Sequence, residues 1–387
     1  MVFLTGDWLL ATGRWLLVSA RLCFVRIFLA SSYHSGSHRA WAEGYVANSE
    51  HELHLVTMPG AFWQWRLTGS FVSLAVAIEE MAVRHGRPDA ILATSLVDVA
   101  GLRGMVSRRL GRVPTALYMH ENQITYPAIS RSRTERNYGL INWTSLIAAD
   151  AVAFNSEFHR ETLMKALPPF LNEFPDERLH GHLEAVEAKS IVLPVGCAIG
   201  EIPIGPKDDP PLVLWNHRWD PDKDPASSIA VMTQLAETGI DFRIAFTGER
   251  FVKQRREYDE SIAALGHRVV VDDHLERSEY LDVLGRSTIV MSTALQEFFG
   301  VSVVEAMAAG ALPILPRRLV YPERIPSELA DQTLYGSRDE AVELLASALE
   351  STAETRALGA ALKAEVDRYD WSAVVPAYDE WMGSIEP

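Results

Sequence analysis

The chain has 387 residues, which predicts two or three domains, and its 48% apolar and 22% charged residues are typical of a folded protein. It has only two cysteines, Cys23 and Cys197, which excludes a disulfide framework and a cysteine-rich zinc site. The formal net charge is −15, but residues 1–200 carry 18 basic and 18 acidic side chains, so the excess negative charge lies in the second half. The neutral first half therefore leaves nucleic-acid binding open.

The first 24 residues differ in pattern from the chain that follows. Their apolar runs, at 8–10 and 15–18, are interrupted by Asp7, Arg14 and Arg21 and fall short of the ~18 residues that span a bilayer. The interrupting charges and the lack of a small-x-small cleavage site disfavour a signal peptide. We expect an extension outside the fold of a cytoplasmic protein, with a membrane-associating helix as the alternative.

Short apolar runs alternate with helical patterns from residue 25 onwards. The strands predicted from these runs are 25–30, 54–58, 90–94, 114–119, 150–154 and 190–194, then 212–216, 242–246, 269–271, 288–291 and 312–315. Near-continuously apolar strands between helices indicate parallel sheets that are covered on both faces.

The segment 200–211 contains two glycines and four prolines and is the best linker in the chain. We therefore predict an α/β protein with two doubly wound, Rossmann-like domains, 25–200 and 212–387, joined by linker 201–211. The last helix is expected to return to the first domain. Ligands of such sheets bind at the carboxyl ends of the strands, so the predicted site is the cleft between the domains.

Small polar residues follow the first strand of each domain. Ser35 and Gly36 precede a helix, where exposed backbone amides suit an anion; a tight strand-to-helix turn is the alternative interpretation. Arg218 and Lys223 stand on a short proline-containing turn, and two such cations suit a diphosphate. The alternative for this pair is surface ion pairing with Asp220 and Asp222.

Two carboxylates flank Gly300 after the predicted strand 288–291. Glu297 is expected in the loop before a helix that begins at Gly300, and Glu305 about one turn inside that helix. A helical glutamate that faces a cleft binds a ribose diol through two hydrogen bonds, and a loop glutamate beside it contacts a sugar. A solvated helix face is the alternative for this spacing.

The fourth predicted strand ends at His120, which is followed by Glu121, Asn122 and Gln123. Four adjacent polar side chains after a buried strand are typical of a functional loop. No second histidine stands four residues on, so the spacing is not that of a metal site, and we predict no metal.

Together these stretches resemble the retaining GT-B glycosyltransferases of the family 4 type and, more closely, the tRNA-queuosine α-mannosyltransferase family. The blocks that carry the closer resemblance are SGSHRAW at 35–41, FWQWR at 62–66, MHENQ at 119–123, YGLIN at 138–142, Asn155-Ser156, HRW at 217–219 with Asp222-Lys223, EFFG at 297–300 and PRRLVYPE at 316–323. Two departures stand out. Ser35 replaces the first glycine of the family's usual Gly-Gly-Ser-His loop, and Gln296 replaces a frequent histidine.

The resemblance implies transfer of mannose from GDP-mannose to queuosine in a tRNA anticodon, of the tRNA-Asp type, with retained configuration and no metal or other cofactor. It places the acceptor on the first domain and the nucleotide sugar on the second. The implied catalytic residues are His120, Glu297, Arg218 and Lys223. The implied donor-binding residues are Ser35, Gly36, Arg218, Lys223, Gly248, Glu297, Phe298, Phe299, Gly300 and Glu305.

The acceptor side is less distinctive. Seven arginines against two glutamates in 103–136 suit a phosphate backbone, and Trp63, Trp65 and Tyr126 suit base stacking; solvated arginines and buried tryptophans are the alternative. A glycosyltransferase with a lipid, glycan or small-molecule acceptor, and a non-catalytic tRNA- or sugar-nucleotide-binding protein, remain the competing hypotheses. The sequence does not distinguish GDP from UDP as the donor nucleotide, and no integral membrane partner is expected.

Overall fold

The computed structural model describes residues 24–126, 133–249 and 252–385, with side chains at 133–134 and 252–257 left aside. The extension expected at 1–24 lies outside the described residues except for Phe24. Within the described ranges, no helix is long and apolar enough to span a bilayer.

The described part of the first half contains one parallel sheet of six strands and the helices that cover it. Its elements are β1 Arg26–His34, α1 Gly36–Asn48, β2 Glu52–Pro59, α2 Trp63–His85, β3 Ala90–Thr94, α3 Val99–Leu110, β4 Thr115–Met119, α4 Arg133–Ala148, β5 Ala151–Phe154, α5 Glu157–Leu171, α6 Leu183–Ala188 and β6 Ser190–Val192. The strand order is β2-β1-β3-β4-β5-β6.

The described part of the second half contains another parallel sheet of six strands. Its elements are β7 Leu212–Trp215, α7 Pro225–Glu237, β8 Arg243–Phe246, α8 Val252–Ala264, β9 Val269–Asp272, α9 Arg277–Arg286, β10 Ser287–Met291, α10 Val301–Ala308, β11 Leu312–Pro316, α11 Ala330–Thr333, β12 Leu334–Tyr335, α12 Arg338–Glu350, α13 Thr352–Val366 and α14 Trp371–Gly383. The strand order is β12-β11-β10-β7-β8-β9. The predicted α/β architecture of two doubly wound sheets is confirmed.

The sequence pattern missed two features of the strands. β12 was not predicted because two residues are too short to show an apolar run. β1 runs four residues beyond the predicted end at Ala30. The serines that follow Ala30 are buried, and Ser32 donates to the Leu96 carbonyl at 2.6 Å, which satisfies a polar group inside the sheet.

The strand order of each sheet reverses at one point, between β1 and β3 in the first sheet and between β7 and β10 in the second. A crevice opens where neighbouring parallel strands send their connections in opposite directions. The loops after β1, β7 and β10 lie at these points. They are the loops in which the sequence placed its candidate donor-binding residues.

Helix α14 crosses back to the first sheet and packs against α1. The Tyr378 hydroxyl accepts from Trp41 Nε1 at 3.0 Å and lies 2.8 Å from both the Tyr118 hydroxyl and the Pro194 carbonyl oxygen. The Trp371 indole sits where a Cβ on Gly44 would approach it to 2.4 Å, so the glycine makes this contact possible. The C-terminal helix is therefore bonded into the core of the first domain.

We expect Tyr378→Phe to lower the free energy of unfolding by about 1–3 kcal/mol, because it leaves the buried Trp41 N–H and the Pro194 carbonyl without their partner. Urea denaturation followed by circular dichroism measures the change. Tyr33→Phe, on the less buried end of β1, is the control and should change stability much less. Equal effects of the two substitutions would contradict the importance of this contact.

Candidate active site between the two sheets

The loops after β7 and β10 are joined by backbone hydrogen bonds across the crevice of the second sheet. The Asp222 carbonyl oxygen accepts from the backbone N–H groups of Leu295 (2.8 Å) and Gln296 (3.1 Å). The Thr293 hydroxyl donates to the Lys223 carbonyl oxygen at 2.8 Å. These bonds fix the turn that carries Lys223 against the loop that carries Glu297.

Lys223 and Glu297 form an ion pair inside this junction. The Lys223 ammonium donates to the Gln296 carbonyl at 2.7 Å and to Glu297 Oε2 at 3.1 Å, and Asp222 Oδ2 lies 3.3 Å away. Burial opposes ionisation of both groups, but their attraction prevails: the pKa of Lys223 is raised and that of Glu297 falls to about 2. Both groups are therefore charged at neutral pH.

Glu297 is also held by its own loop. Its Oε1 accepts from the backbone N–H groups of Phe298 (3.2 Å) and Phe299 (3.4 Å). Gly300 follows with φ of +84° as the N-cap of α10, a conformation that favours glycine. Glu297 lies in the loop and Glu305 about one turn inside α10, as the sequence predicted.

Arg218 faces the first domain and is far more accessible than Lys223. Its side chain is 57% exposed, against 11% for Lys223, and pairs with Asp220 Oδ2 at 2.9 Å. Burial opposes its charge, but Asp220, Asp222, Tyr126 and Glu121 together raise the pKa of Arg218. The ion pairs that the sequence offered as an alternative do form, so the two cations are already neutralised by carboxylates.

Glu121 and Tyr126 approach this charged turn from the first domain. Burial raises the pKa of Glu121, although Arg218 and Lys223 act in the opposite direction. Burial raises the pKa of Tyr126, and the negative charges of Asp222 and Glu121 raise it further, which places its phenol near the charged turn. Tyr126 therefore lies beside the charged turn of the opposite domain, and base stacking on its ring stays a prediction.

His120 lies at the end of β4 in a cluster of aromatic rings. It stacks on His38 with centroids 4.4 Å apart and contacts the edge of Trp41 at 4.6 Å. Burial holds the pKa of His120 well below its ordinary value, and burial together with Arg218 lowers the pKa of His38 to about 4. Both ring nitrogens of buried His120 and Nδ1 of His38 lack a protein partner, so two neutral imidazoles offer unused hydrogen-bonding atoms here.

Glu305 lies on α10 within a network that reaches β7. It accepts from Arg277 at 2.6 Å and from the Tyr280 hydroxyl at 3.1 Å, and Asn216 donates to Tyr280 at 3.0 Å. Both of its carboxylate oxygens are thus occupied, so a ribose diol that bonded to Glu305 would exchange with the half-exposed Arg277 side chain.

The rings of Phe298 and Phe299 are committed to packing. Phe298 stacks on His159 at 4.0 Å, and its carbonyl accepts from Ser156 at 2.7 Å, both from the first domain. Phe299 lies under the Arg324 guanidinium at 4.3 Å. The backbone N–H groups of both residues donate to Glu297, and their part in donor binding stays a prediction.

The remaining predicted residues, Ser35, Gly36 and Gly248, lie in the loops after β1 and β8. Gly36 begins α1 with φ of +50°, and Ser35 is its N-cap without a side-chain cap bond. A Cβ on Gly248 would lie 1.6 Å from the His217 carbonyl oxygen, so this position packs the loop after β8 against the loop after β7. A Cβ on Gly60 would lie 2.0 Å from Ser35 Cβ, so Gly60 makes the space that Ser35 occupies.

Three of the described arginines in the arginine-rich segment lie away from the cleft. Because α3 runs back from the carboxyl edge of the sheet, Arg108, Arg109 and Arg112 lie at the edge away from the cleft. Arg103 pairs with Asp150 at 3.0 Å and Arg109 with Glu79 at 3.1 Å. These three arginines do not face the proposed active site, and binding of a phosphate backbone by the other arginines of 103–136 stays a prediction.

Sequence reasoning missed several members of the site. His38 and His217 belong to the sequence blocks 35–41 and 217–219, but the sequence predicts no role for them. Asp222 is predicted from the sequence only as a surface ion-pair partner of the two cations. Arg277 and Tyr280 carry no local signal, because only the packing of α9 against α10 brings them to Glu305. In the residues that the structure describes, no cluster of three or more histidine, cysteine or acidic side chains is arranged to hold a metal ion.

Two family models match the chain in succession. The model described as tRNA-queuosine alpha-mannosyltransferase N-terminal matches residues 26–197, and the model described as glycosyl transferases group 1 matches residues 202–364. A tRNA-queuosine alpha-mannosyltransferase of Drosophila melanogaster is 33% identical over 314 residues, which cover 78% of this chain and 82% of that protein. The chain belongs to the tRNA-queuosine alpha-mannosyltransferase family. It is a glycosyltransferase, as the resemblance implied.

A more distant relative and two solved structures also match the chain, and the solved structures show its fold. The GDP-mannose:cellobiosyl-diphosphopolyprenol alpha-mannosyltransferase of Xanthomonas oryzae pv. oryzae (strain PXO99A) is 26% identical over 182 residues, covering 45% of this chain and 47% of that protein. Sucrose-phosphate synthase from Thermosynechococcus elongatus aligns with a TM-score of 0.69 and 15% identity over 92% of this chain and 98% of its own. HepE from Anabaena in complex with UDP aligns with a TM-score of 0.68 and 17% identity, over 93% of this chain and 100% of its own. The fold is GT-B.

We expect Lys223→Met to lower the free energy of unfolding by about 3–5 kcal/mol, because it strands the Glu297 carboxylate without its counter-charge. The double variant Lys223→Met, Glu297→Gln should be more stable than the single Lys223→Met variant. Urea unfolding of the wild type, both single variants and the double variant gives the coupling energy. Additive effects would show that the pair does not interact as described.

Proposed function

We propose that the chain transfers an α-mannosyl group from GDP-mannose to the cyclopentenediol of queuosine in a tRNA anticodon, of the tRNA-Asp type, with retained configuration. The observation that carries the proposal is the 33% identity to the Drosophila tRNA-queuosine alpha-mannosyltransferase, which extends over 78% of the chain and so involves both domains. The name of the Xanthomonas relative, which specifies GDP-mannose, supports the choice of donor nucleotide.

The donor diphosphate is proposed to bind where two helix N-termini face the cleft. The first backbone N–H groups of α1, after Ser35, and of α10, after Gly300, have no partner within their own helices, and the positive ends of the helix dipoles favour an anion. Arg218 lies on the same side, on the loop after β7. The anion is thus proposed to be held by fixed dipoles and one accessible cation.

Arg218 and Lys223 are proposed to have different roles. As the bond from the sugar to the phosphate lengthens, negative charge grows on the leaving diphosphate, and a group that stabilises this charge more than the ground state accelerates the step. Arg218 reaches solvent and exchanges Asp220 for phosphate without breaking a buried pair. Lys223 is proposed to hold Glu297 against the sugar, because its three protons already face Gln296, Glu297 and Asp222.

Retention is proposed to follow from attack on the same face of the sugar that the diphosphate leaves. The acceptor hydroxyl then forms its bond to the anomeric carbon while its proton passes to the departing phosphate oxygen. Because the pKa of His120 is well below its ordinary value, its imidazole is neutral and orients a sugar hydroxyl without adding positive charge. Closure of the cleft would exclude the water that otherwise hydrolyses the donor.

The decisive experiment compares tRNA with and without queuosine as acceptors. With GDP-[¹⁴C]mannose as donor, we expect label in queuosine-containing tRNA and none in tRNA that carries unmodified guanosine at the same position. UDP-[¹⁴C]glucose serves as the donor control. Equal labelling of both tRNAs would refute recognition of queuosine, and GDP release without any labelled tRNA would indicate a different acceptor. Absence of GDP release altogether would support a binding protein without catalysis.

We expect Arg218→Ala to lower kcat about a hundredfold or more, with a smaller change in KM for the donor, because the guanidinium acts mainly on charge that develops in the transition state. Steady-state kinetics of GDP release in the presence of tRNA measures both constants. Arg84→Ala, which removes an exposed arginine at the far end of α2, is the matched control and should leave both constants unchanged. A loss confined to KM would assign Arg218 to ground-state binding alone.

A further inference from the structure

Three large aromatic side chains are exposed together at the N-terminus of α2. Phe62, Trp63 and Trp65, here called the aromatic rim, are 79%, 36% and 63% exposed. Phe62 is the N-cap of the helix and has a left-handed backbone with φ of 55°, which is uncommon for a bulky residue. Apolar rings concentrated at one place on a surface indicate a binding site more often than a random surface feature.

The Trp65 indole packs against helix α2 at Gly69. A Cβ on Gly69, one turn further along α2, would lie 3.0–3.2 Å from three atoms of the indole ring. Any other residue at this position would push the ring away, although glycine is unfavourable in a helix interior. The ring is therefore braced on one side and largely open to solvent, which is the form of a stacking platform.

The aromatic rim connects to the reacting centre through contacts along the carboxyl edge of the first sheet. The Trp63 ring meets the edge of Tyr138 at 5.4 Å, and Tyr138 belongs to a small buried cluster against which Tyr33 packs. The Tyr33 and His38 rings meet edge to face with centroids 6.0 Å apart, and His38 stacks on His120. The rim thus lies on the same edge as the proposed active site and outside it.

Arginine side chains lie on α2 itself and on α1 and α4. Arg66 follows Trp65 on α2, and its Nε donates to the Pro59 carbonyl at 3.3 Å, which keeps the guanidinium beside the aromatic rings. Arg136 on α4 and Arg39 on α1 are exposed on neighbouring helices, the latter near Glu43 at 3.9 Å. Aromatic rings interspersed with arginine are typical of surfaces that bind unpaired nucleotides.

We propose that the aromatic rim binds the acceptor RNA loop, with an unpaired base stacked on the open face of Trp65. The inference rests on the proposed function and extends it, because it assigns acceptor binding to residues outside the sugar-transfer site. The base that stacks is one other than the modified nucleoside, which must enter the cleft. The platform thereby sets which loop is presented to the active site.

Trp65→Ala is expected to raise KM for tRNA about ten- to hundredfold, the range that removal of one base–aromatic stack produces. The kcat at saturating tRNA and the slow hydrolysis of GDP-mannose without tRNA should stay within about threefold of wild type. Trp65→Phe keeps an aromatic face and should retain most of the affinity. Val83→Ala, an exposed apolar position at the opposite end of α2, is the matched control.

A binding measurement separates this inference from the proposed reaction. Equilibrium titration of a fluorescently labelled tRNA anticodon stem–loop, without donor, reports affinity whether or not mannose is transferred. Weaker binding by Trp65→Ala but not by Val83→Ala supports the platform even if queuosine labelling fails. Unchanged RNA affinity in Trp65→Ala would overturn the proposal and leave the rim as a surface for a protein partner. A wild-type protein that binds no RNA would overturn the proposal as well.

Discussion

The Lys223 ammonium connects the two loops on which the site of the second domain is built. It lies at the point where the strand order of the second sheet reverses, between β7 and β10. It donates to the Gln296 carbonyl and the Glu297 carboxylate of the loop after β10. A buried cation needs such partners, and a buried carboxylate needs such a cation. The position of Glu297 in the cleft therefore depends on a charge that belongs to another loop.

The first domain completes this arrangement from the other side. Ser156 and His159, at the start of α5, hold the backbone and ring of Phe298, and Arg324 holds Phe299 from the second domain. Contacts from both domains therefore hold the loop 297–300 in place. Helix α14 adds further hydrogen bonds between the halves, among them those of Tyr378. Relative motion of the domains must alter these contacts, which couples cleft closure to the geometry of the glutamate.

The cleft is not a uniformly positive pocket for a diphosphate, because its positive and negative charges lie side by side. Carboxylates neutralise both cations, and only Arg218 is accessible enough to exchange partners. On the opposite wall the imidazoles of His120 and His38 are neutral, because burial removes the stabilisation that water gives to a charged ring. The site combines accessible cations, helix N-termini and uncharged hydrogen-bonding groups, a set that suits an anionic leaving group beside a polyol.

The sequence by itself determined the alternation of strands and helices, the two sheets, and the loops that carry Ser35, His120, Arg218 and Glu297. Local patterns suffice for this, because buried parallel strands are continuously apolar and polar residues follow them at the carboxyl edge. Only the tertiary structure decided how the charges pair, that Tyr126 lies beside the charged turn of the opposite domain, and that Arg108, Arg109 and Arg112 lie away from the cleft. Ion pairs, ring stacks and unpartnered nitrogens depend on distances between residues far apart in the chain, and spacing along a sequence does not contain those distances.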